Sequence, residues 1–234
     1  MKKSLFLLLA CSTFCFTSCI EKIEGFVDQI VDGGNEGGNE GGSSENQEDI
    51  EDKVKQKLRS YADSSSGITI KGSNVFGGEY VCAGKGNIFY VESSDVKTYY
   101  DFSGDQAFMY MDTGETVIKQ KATMSKDNAF ETAFSGAIGV FSSSQANNSK
   151  ASSKSGTFLG YTGKEYSYKD SSLGTSYSYK WFVSDSDGFT LWFETTITSN
   201  GETTPFLSGS TESISHSASI TIPTEFTDLT NLDL

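Results

Sequence analysis

From Gln47 to Asp63 the apolar residues Ile50, Val54, Leu58 and Tyr61 recur at spacings of four, four and three, with charged residues between them. That spacing predicts one amphipathic helix whose stripe faces a core, ended by Ser64-Ser65-Ser66-Gly67. Beyond it, short apolar runs separated by Gly, Ser and Asp predict strands at 68–71, 79–83, 87–92, 97–102, 106–112 and 116–122. A second set is predicted at 157–162, 165–169, 176–184, 189–198 and 217–222. With proline only at Pro205 and Pro223, this pattern predicts a mainly β domain built as an antiparallel meander.

Several strands carry large apolar groups on both faces, as in Tyr99-Tyr100-Asp101-Phe102, Phe108-Met109-Tyr110-Met111 and Trp181-Phe182-Val183. A sheet does this when both sides are covered, either by a helix or lid or by the second layer of a sandwich. Between the two sets, Phe130, Phe134, Ile138 and Phe141 form a helical stripe. Gly136 and Gly139 weaken that helix, each by roughly 1 kcal/mol relative to Ala, and the Ser/Asn-rich tract 142–155 adds slack. Two readings fit: a loosely held lid over an apolar cavity, and an ordinary core helix followed by a surface loop.

The chain opens with Met1-Lys2-Lys3 and an apolar stretch that stops against Glu21-Lys22, which reads as a secretion signal. The stretch is shorter than the roughly 20 apolar residues of a membrane-spanning helix. Phe16-Thr17-Ser18-Cys19 resembles the lipobox of bacterial lipoproteins, apart from Phe16 where an aliphatic residue is usual. Leu8-Leu9-Ala10-Cys11 matches by letter but leaves only Leu5 to Ala10 as the apolar region, short of the usual 7–15 residues. The resemblance implies that residues 1–18 are removed and that Cys19 is lipidated, so that acyl chains hold the protein at a membrane.

Gly33-Gly34-Asn35-Glu36 and the similar unit after it contain nothing to bury, so residues 19–46 read as the lipidated cysteine and a flexible tether. Residues 47–234 then form one domain. The acidic residues after Cys19 also resemble the signal that sends some lipoproteins to the outer cell surface, so an outer-membrane anchor is expected, with surface exposure beyond it. The formal net charge of −13 argues against nucleic acid and against a charge-based grip on anionic lipid. With Cys11 and Cys15 removed and Cys19 lipidated, Cys82 has no disulfide partner in the exported part, and its apolar flanks make it a core residue.

No pattern supports catalysis, and none calls for a cofactor or a metal. His216 stands alone among serines with no Gly-x-Ser-x-Gly, and with Cys82 it cannot complete a zinc ligand set. Gly84-Lys85-Gly86 lacks the phosphate-loop spacing. Asp185-Ser186-Asp187-Gly188 lacks the later Glu of a calcium loop and reads as a hairpin turn.

One ordered set remains: Tyr161-Thr162-Gly163-Lys164-Glu165-Tyr166-Ser167-Tyr168, then Lys180-Trp181-Phe182-Val183 through Asp187-Gly188-Phe189, then Ile220-Thr221-Ile222-Pro223. It resembles the closing hairpins of LolA-like lipoprotein carriers and their lipid-binding lipoprotein relatives. The resemblance implies a single curved antiparallel sheet, a half-barrel, with an N-terminal amphipathic helix and a lid-like helical insertion. It also implies a non-catalytic protein that shelters a lipid or acyl chain. Phe130, Phe134, Ile138 and Phe141 would then be lid contacts, and Tyr110, Trp181 and Phe193 would line the cavity. The rival expectation is a surface adhesion or glycan-binding module of β-sandwich type.

Overall fold

The computed structural model describes residues 47–75, 77–143, 150–172 and 175–230. The expectations for the signal segment, Cys19 and the tether lie outside the described residues. Among the described residues, helix α1 (Gln47–Ala62) precedes strands β1 (Ile68–Ser73), β2 (Glu79–Lys85), β3 (Ile88–Ser93), β4 (Val96–Asp101), β5 (Phe108–Asp112) and β6 (Val117–Lys121). Helix α2 (Lys126–Phe141) follows, then β7 (Ser152–Phe158), β8 (Tyr161–Ser172), β9 (Thr175–Ser184), β10 (Thr190–Ser199), β11 (Glu202–Ser215) and β12 (Thr227–Asp228). The strands make one open, curved sheet in the order β12-β6-β5-β4-β3-β2-β1-β11-β10-β9-β8-β7. The described strands thus form one layer and not the two of a sandwich.

Both helices appear where the apolar spacing put them. In α1, Val54, Leu58 and Ala62 are buried at intervals of four, and Lys55 and Arg59 reach Glu131 and Asp127 of α2. The two helices therefore run side by side in opposite directions. α2 is capped by Ser125, whose hydroxyl accepts from the Asn128 amide at 3.1 Å and so satisfies one of the free first-turn donors. It then crosses the strands from β3 to β10, burying eight side chains against the sheet, among them all four stripe residues.

The meander β1–β6 matches its expectation within a residue or two at each end. The second half departs from it in three places. Residues 157–162 are not one strand: Leu159 and Gly160, both at positive φ (51° and 82°), turn the chain between β7 and β8. Part of the Ser-rich tract, from Ser152, is strand β7. Residues 217–222 form no strand, because the place beside β1 is taken by β11, a strand absent from the expected set.

β11 was signalled in the sequence by Asn200-Gly201, the strongest short hairpin signal. Both residues take positive φ (54° and 84°) and fold β11 back along β10. Pro205 is tolerated in β11 because it sits at a register shift, where a ladder bond is not needed. The last strand, β12, pairs parallel with β6, an exception to the antiparallel meander.

Candidate binding surface

Strand register decides which residues share a face. Ile70, Cys82, Val91, Thr98 and Met111 stand opposite one another in successive strands. Tyr80, on the same face as Cys82, lies directly under α2, since a Cβ on Gly136 would meet its ring at 2.8 Å. Tyr110 neighbours Met111 and so points to the other face. There it packs edge-on against Phe226 at 5.5 Å and is buried. Tyr110 is therefore not brought together with Trp181 and Phe193.

Those two residues do meet. Phe193 stands opposite Trp181, which stands opposite Tyr166. A Cβ on Gly209 would lie near both Val140 of α2 and Phe193, which places this row on the helix-bearing face. Two further rows run outward from the end of α2 toward the Asn200-Gly201 turn: Thr195, Tyr179 and Tyr168, then Ile197, Tyr177 and Asp170. The rings lie nearly parallel. Tyr166 and Trp181 are 5.3 Å apart at 10°, Tyr168 and Tyr179 are 5.9 Å apart at 17°, and Tyr177 and Tyr179 are 6.4 Å apart at 17°.

Within this face Trp181 and Tyr179 are buried, whereas Tyr166, Tyr168, Tyr177, Phe193 and Ile197 are half-buried. Burial raises the Tyr179 hydroxyl above its usual pKa, helped by Asp170 and the neighbouring tyrosines. The Trp181 indole N–H is enclosed without a hydrogen-bond partner among the described residues. The four tyrosines were missed in the sequence although their signal was present. Tyr166-x-Tyr168 and Tyr177-x-Tyr179-x-Trp181 repeat every second residue, which in a strand puts them on one face.

The α2 residues sit elsewhere. Phe130 stacks on Phe134 at 4.8 Å and meets Phe89 at 5.7 Å, and Phe141 stacks on Phe189 at 4.6 Å. Phe130, Phe134, Ile138 and Phe141 are all buried in the core. Two hollows of about 650 and 150 Å³ occur at β7–β9, lined mainly by hydroxyl and charged side chains, and neither includes a residue of α2.

Cys82 is wholly buried and its thiol is pushed up by burial, away from the reactive thiolate form. His216 is exposed and packs edge-on against Tyr61 at 4.8 Å. Asp187 lies in the β9–β10 turn, where it accepts a hydrogen bond from Tyr61. Among the described residues no group of three or more His, Cys, Asp or Glu is placed to hold a metal ion, and no helix is long and apolar enough to cross a membrane. No protein-family model matches the chain, and no curated protein matches it.

Proposed function

We propose that this protein is a non-enzymatic binding module, tethered to a membrane through lipid on Cys19, which engages a glycan on the open aromatic face of β8–β10. The observation that carries the reading is the set of near-parallel tyrosine rings outside the helix-covered core, in which half-buried Tyr168 and Tyr177 flank buried Tyr179. Aromatic side chains offer an apolar body with a polar tip. That suits a sugar, whose ring has an apolar C–H face and a rim of hydroxyls. The test is affinity electrophoresis through gels containing dextran, mannan, xylan or β-glucan. Retardation by at least one is expected, and is lost in Tyr168→Ser/Tyr177→Ser. A chain retarded by none counts against the reading.

A second reading, the acyl-chain shelter of LolA-like proteins, draws support from the curved sheet with α2 lying across one face. On that reading α2 must lift, because Phe130, Phe134, Ile138 and Phe141 fill the space beneath it. Native mass spectrometry tests it: a copurifying lipid favours the shelter, and a lipid-free chain that takes up none on addition removes it.

A further inference from the structure

The chain is acidic, yet the end of the sheet beside the aromatic face is basic. Five lysines fall between Lys150 and Lys180, against Glu165 and Asp170. Lys154 is neutralised by Glu165 at 3.1 Å. Lys169 and Lys180 enter no ion pair among the described residues, although Glu194 stands opposite Lys180 in register.

Lys169 and Lys180 line one hollow of about 650 Å³, together with Asp170 and with Lys150, which has an interaction partner of its own. Ser152, Ser167 and Ser178 supply hydroxyls to the same hollow. The arrangement follows from pairing, since Ser152 and Lys180 both flank Ser167 and Lys169 stands opposite Ser178. Among the described residues β7 reaches only as far along β8 as Ser167, so from Tyr168 onward no described strand flanks β8 on that side. The hollow opens at that step.

Tyr168 joins the two features. It lines the hollow and also stacks on Tyr179 at 5.9 Å in the aromatic face. Lys169, Lys180 and the three serines alternate with the tyrosines along their strands and so point to the opposite face of the sheet, and a single extended ligand that lies along the rings reaches them by passing over β8 at Tyr168. We infer that this hollow binds the acid group of a negatively charged glycan whose sugar rings lie on the adjoining tyrosines, an inference that rests on the glycan reading above. The acidic remainder of the chain repels polyanions at long range, so the attraction is local to this end. A neutral sugar leaves Lys169 and Lys180 without a counter-charge among the described residues, whereas a bare phosphate leaves the ring face unused.

The experiment compares polygalacturonate with its fully methyl-esterified form, which keeps the sugar backbone and removes the charge, using the full chain in detergent micelles. Polygalacturonate is expected to bind at least tenfold tighter than the ester. Lys169→Gln/Lys180→Gln is expected to abolish that preference while leaving binding of the ester and the circular dichroism spectrum unchanged. Lys71→Gln/Lys121→Gln, on other strands, is expected to change neither affinity.

Equal binding of the two polymers, or an acid preference that survives Lys169→Gln/Lys180→Gln, overturns the inference. If the ester binds and charge adds nothing, the aromatic-face reading stands and the hollow inference fails. If polygalacturonate binding ignores Tyr168→Ser/Tyr177→Ser, the aromatic face fails instead. Tighter, lysine-dependent binding to phosphatidylglycerol vesicles would make the occupant a lipid headgroup and also overturn the glycan assignment.

Discussion

The Tyr61 hydroxyl donates to the Asp187 carboxylate at 2.5 Å, joining the last turn of α1 to the β9–β10 turn. The same helical turn accepts from the Gly86 amide through the Ala62 carbonyl at 2.8 Å, so one end of α1 is pinned to both halves of the sheet. Lys57 lies 3.7 Å from the same carboxylate oxygen and adds to the contact. Tyr61→Phe is expected to cost about 1 kcal/mol in urea unfolding, the usual net value of a hydrogen bond. In a double-mutant cycle Tyr61→Phe and Asp187→Asn are expected to be non-additive. Additive effects would mean that the contact contributes nothing.

The two glycines of α2 behave oppositely. A Cβ at Gly139 meets nothing within 4 Å, so Gly139→Ala is expected to stabilise the protein by roughly 0.5–1 kcal/mol through helix propensity. A Cβ at Gly136 would lie 2.8 Å from the buried Tyr80 ring. Gly136→Ala is therefore expected to destabilise despite the same gain in propensity. Thermal midpoints of the two variants check this, and a shared sign would contradict the packing of α2 on β2.

Gly201 takes φ 84° in the turn that starts β11. Gly201→Val is expected to cost about 1–2 kcal/mol, the penalty for a left-handed backbone with a side chain. Thermal unfolding reads the loss, and an unchanged midpoint would speak against this turn geometry.

Trp181 and Tyr177 separate stability from binding. Trp181 is fully buried, so Trp181→Ala is expected to lose about 3–5 kcal/mol. Tyr177→Ser, on the half-buried part of the face, is expected to keep the fold while weakening glycan retention. A Tyr177→Ser variant that unfolds would make the aromatic face a structural feature alone.

Stability is expected to fall in alkali. Burial pushes the Tyr100 hydroxyl up to about 12 and raises Tyr80, with Cys82 and Glu212 adding to the latter. Folded values above the unfolded value near 10 mean that the neutral phenols stabilise the fold. That contribution is complete below about pH 10 and is lost as pH rises toward 12. Urea unfolding at pH 8 and pH 11 is expected to show a lower midpoint at the higher pH, with a smaller drop in Tyr100→Phe.

Residue order alone was enough for both helices and for the first six strands. In α1 and α2 the 3.6-residue period of Val54, Leu58 and Phe130, Phe134 is a local property of the chain, and Gly, Ser and Asp mark each turn of the meander. The buried status of Cys82 was equally legible from its apolar flanks. What lay beyond local pattern was pairing at a distance. β11 fills the place beside β1 from more than 130 residues away, and nothing near 217–222 announces that the position is taken.

The same limit applied to the candidate site. The aromatic character of Trp181 and Phe193 was visible in the chain, and so was the alternation of Tyr166, Tyr168, Tyr177 and Tyr179. Only register could set Tyr110 on the opposite face, because successive residues of a strand point apart and a one-residue shift exchanges the faces. Whether the α2 stripe covered a cavity or a core depended on how closely helix and sheet approach. That distance is decided by contacts such as Gly136 on Tyr80, which form only when the whole sheet has assembled.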